Sequence, residues 1–281
     1  MRLGGPVFDV SPGDAGAWVA AVNAQGYRAA YCPAALDADA ATVAAYRSAA
    51  QQHNILIAEV GAWSNPLDSD AGKAAAARAK CIAALDLAER IGARCAVNIT
   101  GSRGPKWDGP HPDDLTPATF DRIVETTRAI VDAVKPSRAC YTLETMPWMY
   151  PDSADSYLAL LKAIDRRQVA AHFDPVNLVN SPARYFDTGG LIREFVAKLG
   201  PRIRSVHCKD IALRDTLTVH LDECRPGTGG LDYRTLLTEL AGLGDADLPL
   251  MLEHLPREEY PPAAAFIREQ AANFGFNITD G

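Results

Sequence analysis

VAAHFD, residues 169–174, is a short apolar run broken by one histidine and closed by Asp174. Three later or earlier runs close in the same manner: YTLE (141–144) on Glu144, IRSVH (203–207) on His207 and LMLE (250–253) on Glu253. Carboxylates and imidazoles are poor packing groups, because an unpaired buried charge costs roughly several kcal/mol unless a metal, a partner or protonation compensates it. One such ending is ordinary, since strands commonly run into polar loops. Four of them predict a shared site. Three oxygen donors with one nitrogen suit a single hard or borderline divalent ion, manganese first, with magnesium, cobalt, zinc or iron compatible.

Outward from these runs, β-like segments recur at residues 2–5, 29–31, 55–60, 95–99, 140–143, 169–173, 203–206 and 250–252. Between them lie Ala-rich or amphipathic stretches such as 74–91 and 117–134, with apolar residues at helical spacing. Alternating strands and helices imply a parallel sheet, and eight repeats in this length predict a (β/α)8 barrel forming a single domain over residues 1–281. A doubly wound open sheet is the alternative. Against it, the first strand leads into GGPVFDVSPGD (4–14), which is no phosphate-binding GxGxxG turn.

In such barrels chemistry gathers at the C-terminal strand ends, where all four endings fall. The rim loops there are rich in Gly, Pro and aromatics: EVGAWSNP (59–66), NITGSRGPKWDGPHPDD (98–114) and TMPWMYPD (145–152). Trp63, Trp107 and Trp148, with Arg103 between them in sequence, are candidate substrate contacts, because apolar ring faces pack against the C–H faces of sugars. The same indoles equally serve as caps on a core. Trp107 and Met149 leave a homo-oligomer interface open beside a lid over the substrate.

A net charge of −7 argues against nucleic acid and anionic membranes as partners, which reward clustered Lys and Arg. A small molecule is expected instead. Six cysteines without a CxxC pair read as reduced thiols. MRLGGPVF lacks a signal peptide's basic and apolar segments, and no run reaches membrane-spanning length, so the chain reads as cytoplasmic.

The ordered set Glu144 (LETMPW), Asp174 (HFDPVN), His207 (VHCKD) and Glu253 (MLEHL), with RPGTGGLDY (225–233) before the last, resembles the xylose isomerase-like TIM-barrel superfamily, the sugar phosphate isomerases/epimerases, over essentially the whole length. The resemblance implies that these four positions bind one divalent ion and that Glu144 and Glu253 act as acid and base. It departs at Asn177, where ketose 3-epimerases of the superfamily carry a histidine. Asparagine can hold a hydroxyl but cannot shuttle a proton near neutral pH. Arg214 is the nearest counterpart of a substrate-binding arginine in those epimerases. Lys209 belongs to a His-x-Lys-Asp segment that recurs in the superfamily; strand alternation turns it to the side of His207, where it could meet a substrate oxyanion or form a rim ion pair. By the same alternation His172 shares a face with Asp174, as a supporting partner, a proton shuttle or a packed barrel histidine, while His254 should point away. His111 and His220 are weak candidates.

The implied activity is abstraction of a proton next to the carbonyl of a keto-sugar or related polyol, followed by isomerisation or epimerisation. Loss of a β-substituent, the dehydratase or lyase outcome, uses the same residues. A metal-stabilised sugar-binding barrel without activity is the alternative from another class; the superfamily's apurinic endonucleases fit an acidic chain with six histidines poorly. No P-loop or basic cluster at a helix start supports a phosphate-handling role.

Overall fold

The computed structural model describes residues 1–276 and Ile278. Among them the strands are β1 (Arg2–Gly5), β2 (Ala29–Tyr31), β3 (Leu56–Gly61), β4 (Cys95–Asn98), β5 (Cys140–Glu144), β6 (Val169–Phe173), β7 (Ile203–Cys208), β8 (Asp210–Arg214), β9 (His220–Cys224) and β10 (Pro249–Leu252). β1 to β7 and β10 close into a parallel barrel, each strand beside its chain neighbour, with β10 pairing back onto β1. This is the expected (β/α)8 architecture, a TIM barrel. Helices α1 (Ala15–Ala24), α2 (Ala40–Gln52), α3 (Ala71–Ile91), α4 (Pro117–Val134), α5 (Ala154–Ile164), α6 (Pro182–Tyr185), α7 (Thr188–Leu199), α8 (Tyr233–Gly242) and α9 (Tyr260–Asn273) accompany it.

Local chemistry sets the boundaries. Asp14, Asp39, Asp70, Asp187 and Asp232 each precede a helix and accept one of its free amides, the usual device for starting one. Asp70 accepts from Gly72 and Lys73, so α3 begins at Ala71, three residues before the expected start. β4 stops at Asn98, one residue short of expectation. There the side chain replaces the ladder, accepting from Ser64 N at 3.0 Å and donating to Ser64 O at 3.1 Å.

The main core packs the outer faces of the strands against the helices. Inside the barrel lie two small clusters, Ala29 and Ala58 with Met251, then Cys95 and Cys140 with Ala170. Two register shifts aim what lies above them. One, between Ala30 and Tyr31, sets Tyr31 against Glu59; the other, between Ala171 and His172, sets His172 against Ser205. Such bulges re-aim side chains, and here Glu59, Ser205 and His207 all come to the axis. All six cysteines are free thiols. Among the described residues no helix is long and apolar enough to cross a membrane.

The hairpin β8–β9 is an antiparallel pair outside the barrel, in a stretch that carries no strand signal of its own beyond short alternation. Asp210 opens it and organises RPGTGGLDY. One carboxylate oxygen accepts from Gly227 at 2.9 Å and Gly229 at 3.0 Å; the other accepts from Ile211 and Leu231, each at 2.9 Å. A Cβ on Gly229 would run into the Ile211 carbonyl and the Asp210 carboxylate. Asp210→Ala leaves these amides without their acceptor and is expected to cost about 3 kcal/mol in urea unfolding, since bonds to charged groups are the strong ones. A loss under about 0.5 kcal/mol, the level of an ordinary surface change, would remove that role.

Candidate metal centre

Glu144 ends β5, Asp174 follows β6, His207 is the penultimate residue of β7 and Glu253 follows β10. Barrel closure brings their donor atoms within 4.8 Å of one another. His207 Nδ1 is the hub, 2.9 Å from Glu253 Oε1, 3.0 Å from Glu144 Oε1 and 3.7 Å from Asp174 Oδ2. Lys209 Nζ lies 2.6 Å from Asp174 Oδ2 and 2.9 Å from Glu253 Oε1. Those two oxygens are buried and accept no directed hydrogen bond despite these short ion-pair separations. Buried oxygens left in that condition are what a coordinated cation satisfies. The charges agree as well: three carboxylates are balanced by a divalent ion and the Lys209 ammonium when His207 is neutral. The donor set therefore fits one divalent ion.

The electrostatics follow from burial and neighbours. Burial pushes the Glu144 carboxyl up, and Glu253 adds to this against the pull of His207. Burial would also raise Glu253 and Asp174, but His207 and Lys209 outweigh it, holding Glu253 well below the usual range and Asp174 down to about 2. Burial opposes charge on His207 and Lys209, yet the surrounding carboxylates push both well up.

A profile of the xylose isomerase-like TIM-barrel family matches residues 18–270. The chain belongs to that family. Among solved structures, this xylose isomerase-like barrel is similar in fold to a D-psicose 3-epimerase from Clostridium cellulolyticum H10, at 15% identity, TM-score 0.69, with 96% of this chain and 99% of that one covered. A xylose isomerase-like protein from Mycobacterium smegmatis, in complex with magnesium, matches at 17% identity and TM-score 0.68 over 97% and 95% of the two chains. The 3-keto-D-glucoside 4-epimerase of E. coli matches at 11% identity and TM-score 0.68 over 96% and 99%. No curated protein matches the sequence.

Beside the four ligating candidates, the barrel mouth holds a cavity of about 480 Å³ that takes in Trp63, Trp107, Asn177 and Lys209 from the expected set. Asn177 Nδ2 donates to Glu144 Oε1 at 3.2 Å, and Lys209 Nζ reaches Asn177 Oδ1 at 3.4 Å. The other expected substrate contacts fall elsewhere. Arg214 lies out on the hairpin, held by Asp222 at 2.8 Å, because β8 carries it away from the mouth. Arg103 turns its guanidinium to the Leu67 carbonyl. Trp148 donates to the Asp108 carbonyl at 2.9 Å behind the cavity wall. His172 is buried below the site, with Nε2 at 3.0 Å from Glu59 Oε1. His254 corrects the alternation argument: β10 ends at Leu252 and His254 takes a positive φ of 56°, so its ring reaches the cavity edge and Glu223. His220 lies on β9, outside the cavity lining, and His111 accepts from Asp113 N at a turn.

Two residues of the site escaped the sequence reading. Glu59 is buried under His207, its Oε2 3.4 Å from Nε2, and accepts from Ser205. A charged residue inside the run ILIAEV was the available signal. Glu223, 3.3 Å from Lys209 Nζ, arrives on the hairpin, and nothing local marks it.

Proposed function

We propose that this chain is a divalent-metal-dependent isomerase or epimerase of a keto-sugar or related polyol, working through an enediolate. The observation that carries this reading is the pair Glu144 and Glu253, 3.0 and 2.9 Å from His207 Nδ1 and both lining one cavity. Two carboxylates so placed can take a proton from one face of a substrate and return it on another. Two neighbours in fold, a D-psicose 3-epimerase and a 3-keto-D-glucoside 4-epimerase, support a keto-sugar as substrate.

Glu144, Asp174, His207 and Glu253 would hold the ion, which when bound polarises the substrate carbonyl and stabilises the enediolate charge. Glu144 Oε1 accepts from Asn177 Nδ2 and faces His207 Nδ1 among the ligating donors, which leaves Oε2 to accept the proton from the carbon next to the carbonyl. In isomerisation Glu144 gives the same proton back at the neighbouring carbon; in epimerisation Glu253 relays one taken up from solvent, and Glu144 releases its own after the product leaves. Lys209 Nζ, fixed by Asp174 and Glu253, presents its positive charge to the substrate oxygen that becomes anionic. Trp63 and Trp107 shield this chemistry from water on the opposite side.

β-Elimination is the second reading, favoured by one observation. Asn177 touches Glu144 where the related ketose 3-epimerases have a histidine, so a proton relay at that position is missing. Asn177→His is expected to give measurable ketose epimerisation, scored by product chromatography; an unchanged product pattern would exclude this position from the choice of outcome.

The test is hydrogen exchange in D2O, followed by NMR with magnesium-loaded protein on ketoses, inososes and 3-keto-glucosides. The expected result is loss of the C–H signal next to the carbonyl with an epimer or aldose appearing, abolished by EDTA and restored by metal. A new vinylic signal with a released β-group would replace isomerisation by elimination. Exchange on no substrate, with metal bound, would overturn both.

A further inference from the structure

The cavity is divided by chemistry along the chain. Most of its charged and hydrogen-bonding members, Glu144, Asn177, Lys209, Glu223, Glu253 and His254, come from the β5 to β10 half of the barrel. The β1 to β4 half supplies Pro6, Tyr31, Trp63, Ile99 and Trp107, with one carboxylate, Asp108, whose Oδ1 lies 3.3 Å from Lys106 Nζ. The Tyr31 hydroxyl is already donated to the Leu252 carbonyl at 3.2 Å, so that wall presents mainly apolar and ring surface.

A free ketose bears a hydroxyl on nearly every carbon and gains from hydrogen bonds around its whole edge. Buried against Ile99, Pro6 and two indoles, with Asp108 the one carboxylate among them, its far hydroxyls would lose more partners in water than they gain, at a cost for each. Stacking one sugar face on one indole is favourable; facing a second apolar wall is not. The volume, about 480 Å³, is of the size that takes a ligand larger than one sugar ring.

The apolar wall is also built in place. A Cβ on Gly61 would run into the Trp63 indole nitrogen, so the ring folds back over a residue that has no side chain. The loop behind it is tied to β4 by the two Asn98–Ser64 bonds, and Lys80 Nζ holds the Trp63 carbonyl at 3.1 Å. Trp107 sits on a loop pinned from within: Ser102 N donates to its carbonyl at 2.9 Å, and buried Asp114 accepts from Ser102 Oγ at 2.8 Å and Arg103 N at 2.6 Å. Both indoles remain more than a third exposed, open to a ligand. A preformed pair of exposed rings is the usual recognition element for a planar aromatic group, because little entropy is lost on binding.

We infer that the substrate is an aryl glycoside in its keto form, with the keto-sugar at the Glu144–Glu253 side and the aromatic aglycone between Trp63 and Trp107. This rests on the keto-sugar reading of the metal side and names what fills the other half.

Binding can be tested apart from turnover, on protein with magnesium, by titration calorimetry with phenyl and methyl β-glucosides, neither of which carries a carbonyl. Phenyl glucoside is expected to bind about tenfold tighter or more, from the ring area removed from water. Trp63→Ala and Trp107→Ala should each erase most of that advantage, while Trp63→Phe retains it, which separates loss of the ring from loss of fold. Equal affinity for the two glucosides, or a preference untouched by both Ala variants, would overturn the inference. Solvent exchange on phenyl and methyl 3-keto-glucosides and on free ketoses then reads the other claim. Preference for the phenyl ligand without exchange on any of them would sink the catalytic reading and leave the aryl site standing; exchange fastest on free ketoses would do the reverse.

Discussion

Glu144→Gln is expected to slow solvent exchange next to the substrate carbonyl by about 10²- to 10⁴-fold, the range that a positioned general base supplies. The amide keeps the shape of the side chain and an oxygen for the ion, but it cannot accept a proton. Glu144 suits the role because burial and the nearby Glu253 push its carboxyl up, making it a stronger base than an ordinary glutamate. Asn177 Nδ2 donates to one of its oxygens at 3.2 Å, so its orientation is set before substrate arrives. Calorimetry should still find a bound divalent ion and circular dichroism a native spectrum. Exchange at the wild-type rate in this variant would end the proposed mechanism, whatever the substrate.

Glu59→Gln should weaken the divalent ion by about 10- to 100-fold without touching it, the effect typical of a group that orients a ligating histidine. Glu59 Oε2 lies at 3.4 Å from His207 Nε2, the ring nitrogen facing away from Glu144 and Glu253, and this leaves Nδ1 as the nitrogen turned to the other donors. Its Oε1 is shared by His172 and Ser205, so the carboxylate is locked. The change is also expected to destabilise the metal-free protein by about 3 kcal/mol, since a buried ion pair loses one partner. The pH dependence has a definite sign. Burial alone would raise the Glu59 carboxyl, but His172 and His207 hold it well below its ordinary 4.5. A depressed folded-state value means that its contribution is present above pH 4.5 and lost as the pH falls toward the folded-state value. Wild type and Glu59→Gln should therefore differ most near neutrality and converge in acid. A variant with unchanged metal affinity at pH 7 would reduce Glu59 to a packing role.

Much of this was written along the chain. The eight barrel strands follow from apolar runs at regular intervals, and a run that ends on Glu144, Asp174, His207 or Glu253 announces itself because nothing in a core repays a lone carboxylate. Local periodicity states which neighbours share a face of one strand. It does not state where the period slips. The shifts opposite Glu59 and at Ser205 are such slips, and the left-handed turn at His254 is another, so side chains that simple alternation sends outward arrive at the axis or the cavity.

Partnership across the barrel is likewise invisible in sequence. Glu59 meets His172 and His207 at separations of 113 and 148 residues, which only closure of the sheet can bring within hydrogen-bond reach. The hairpin decides the fates of Arg214 and Glu223: an antiparallel pair turns the arginine out to Asp222 and returns the glutamate to Lys209. The amino-acid sequence by itself determined the eight barrel strands and the polar residues that close four of them, because both depend on what a short segment can bury. The tertiary structure alone decided the support beneath the donors and which of the rim indoles line the cavity with them, because these depend on which distant segments closure and register place side by side.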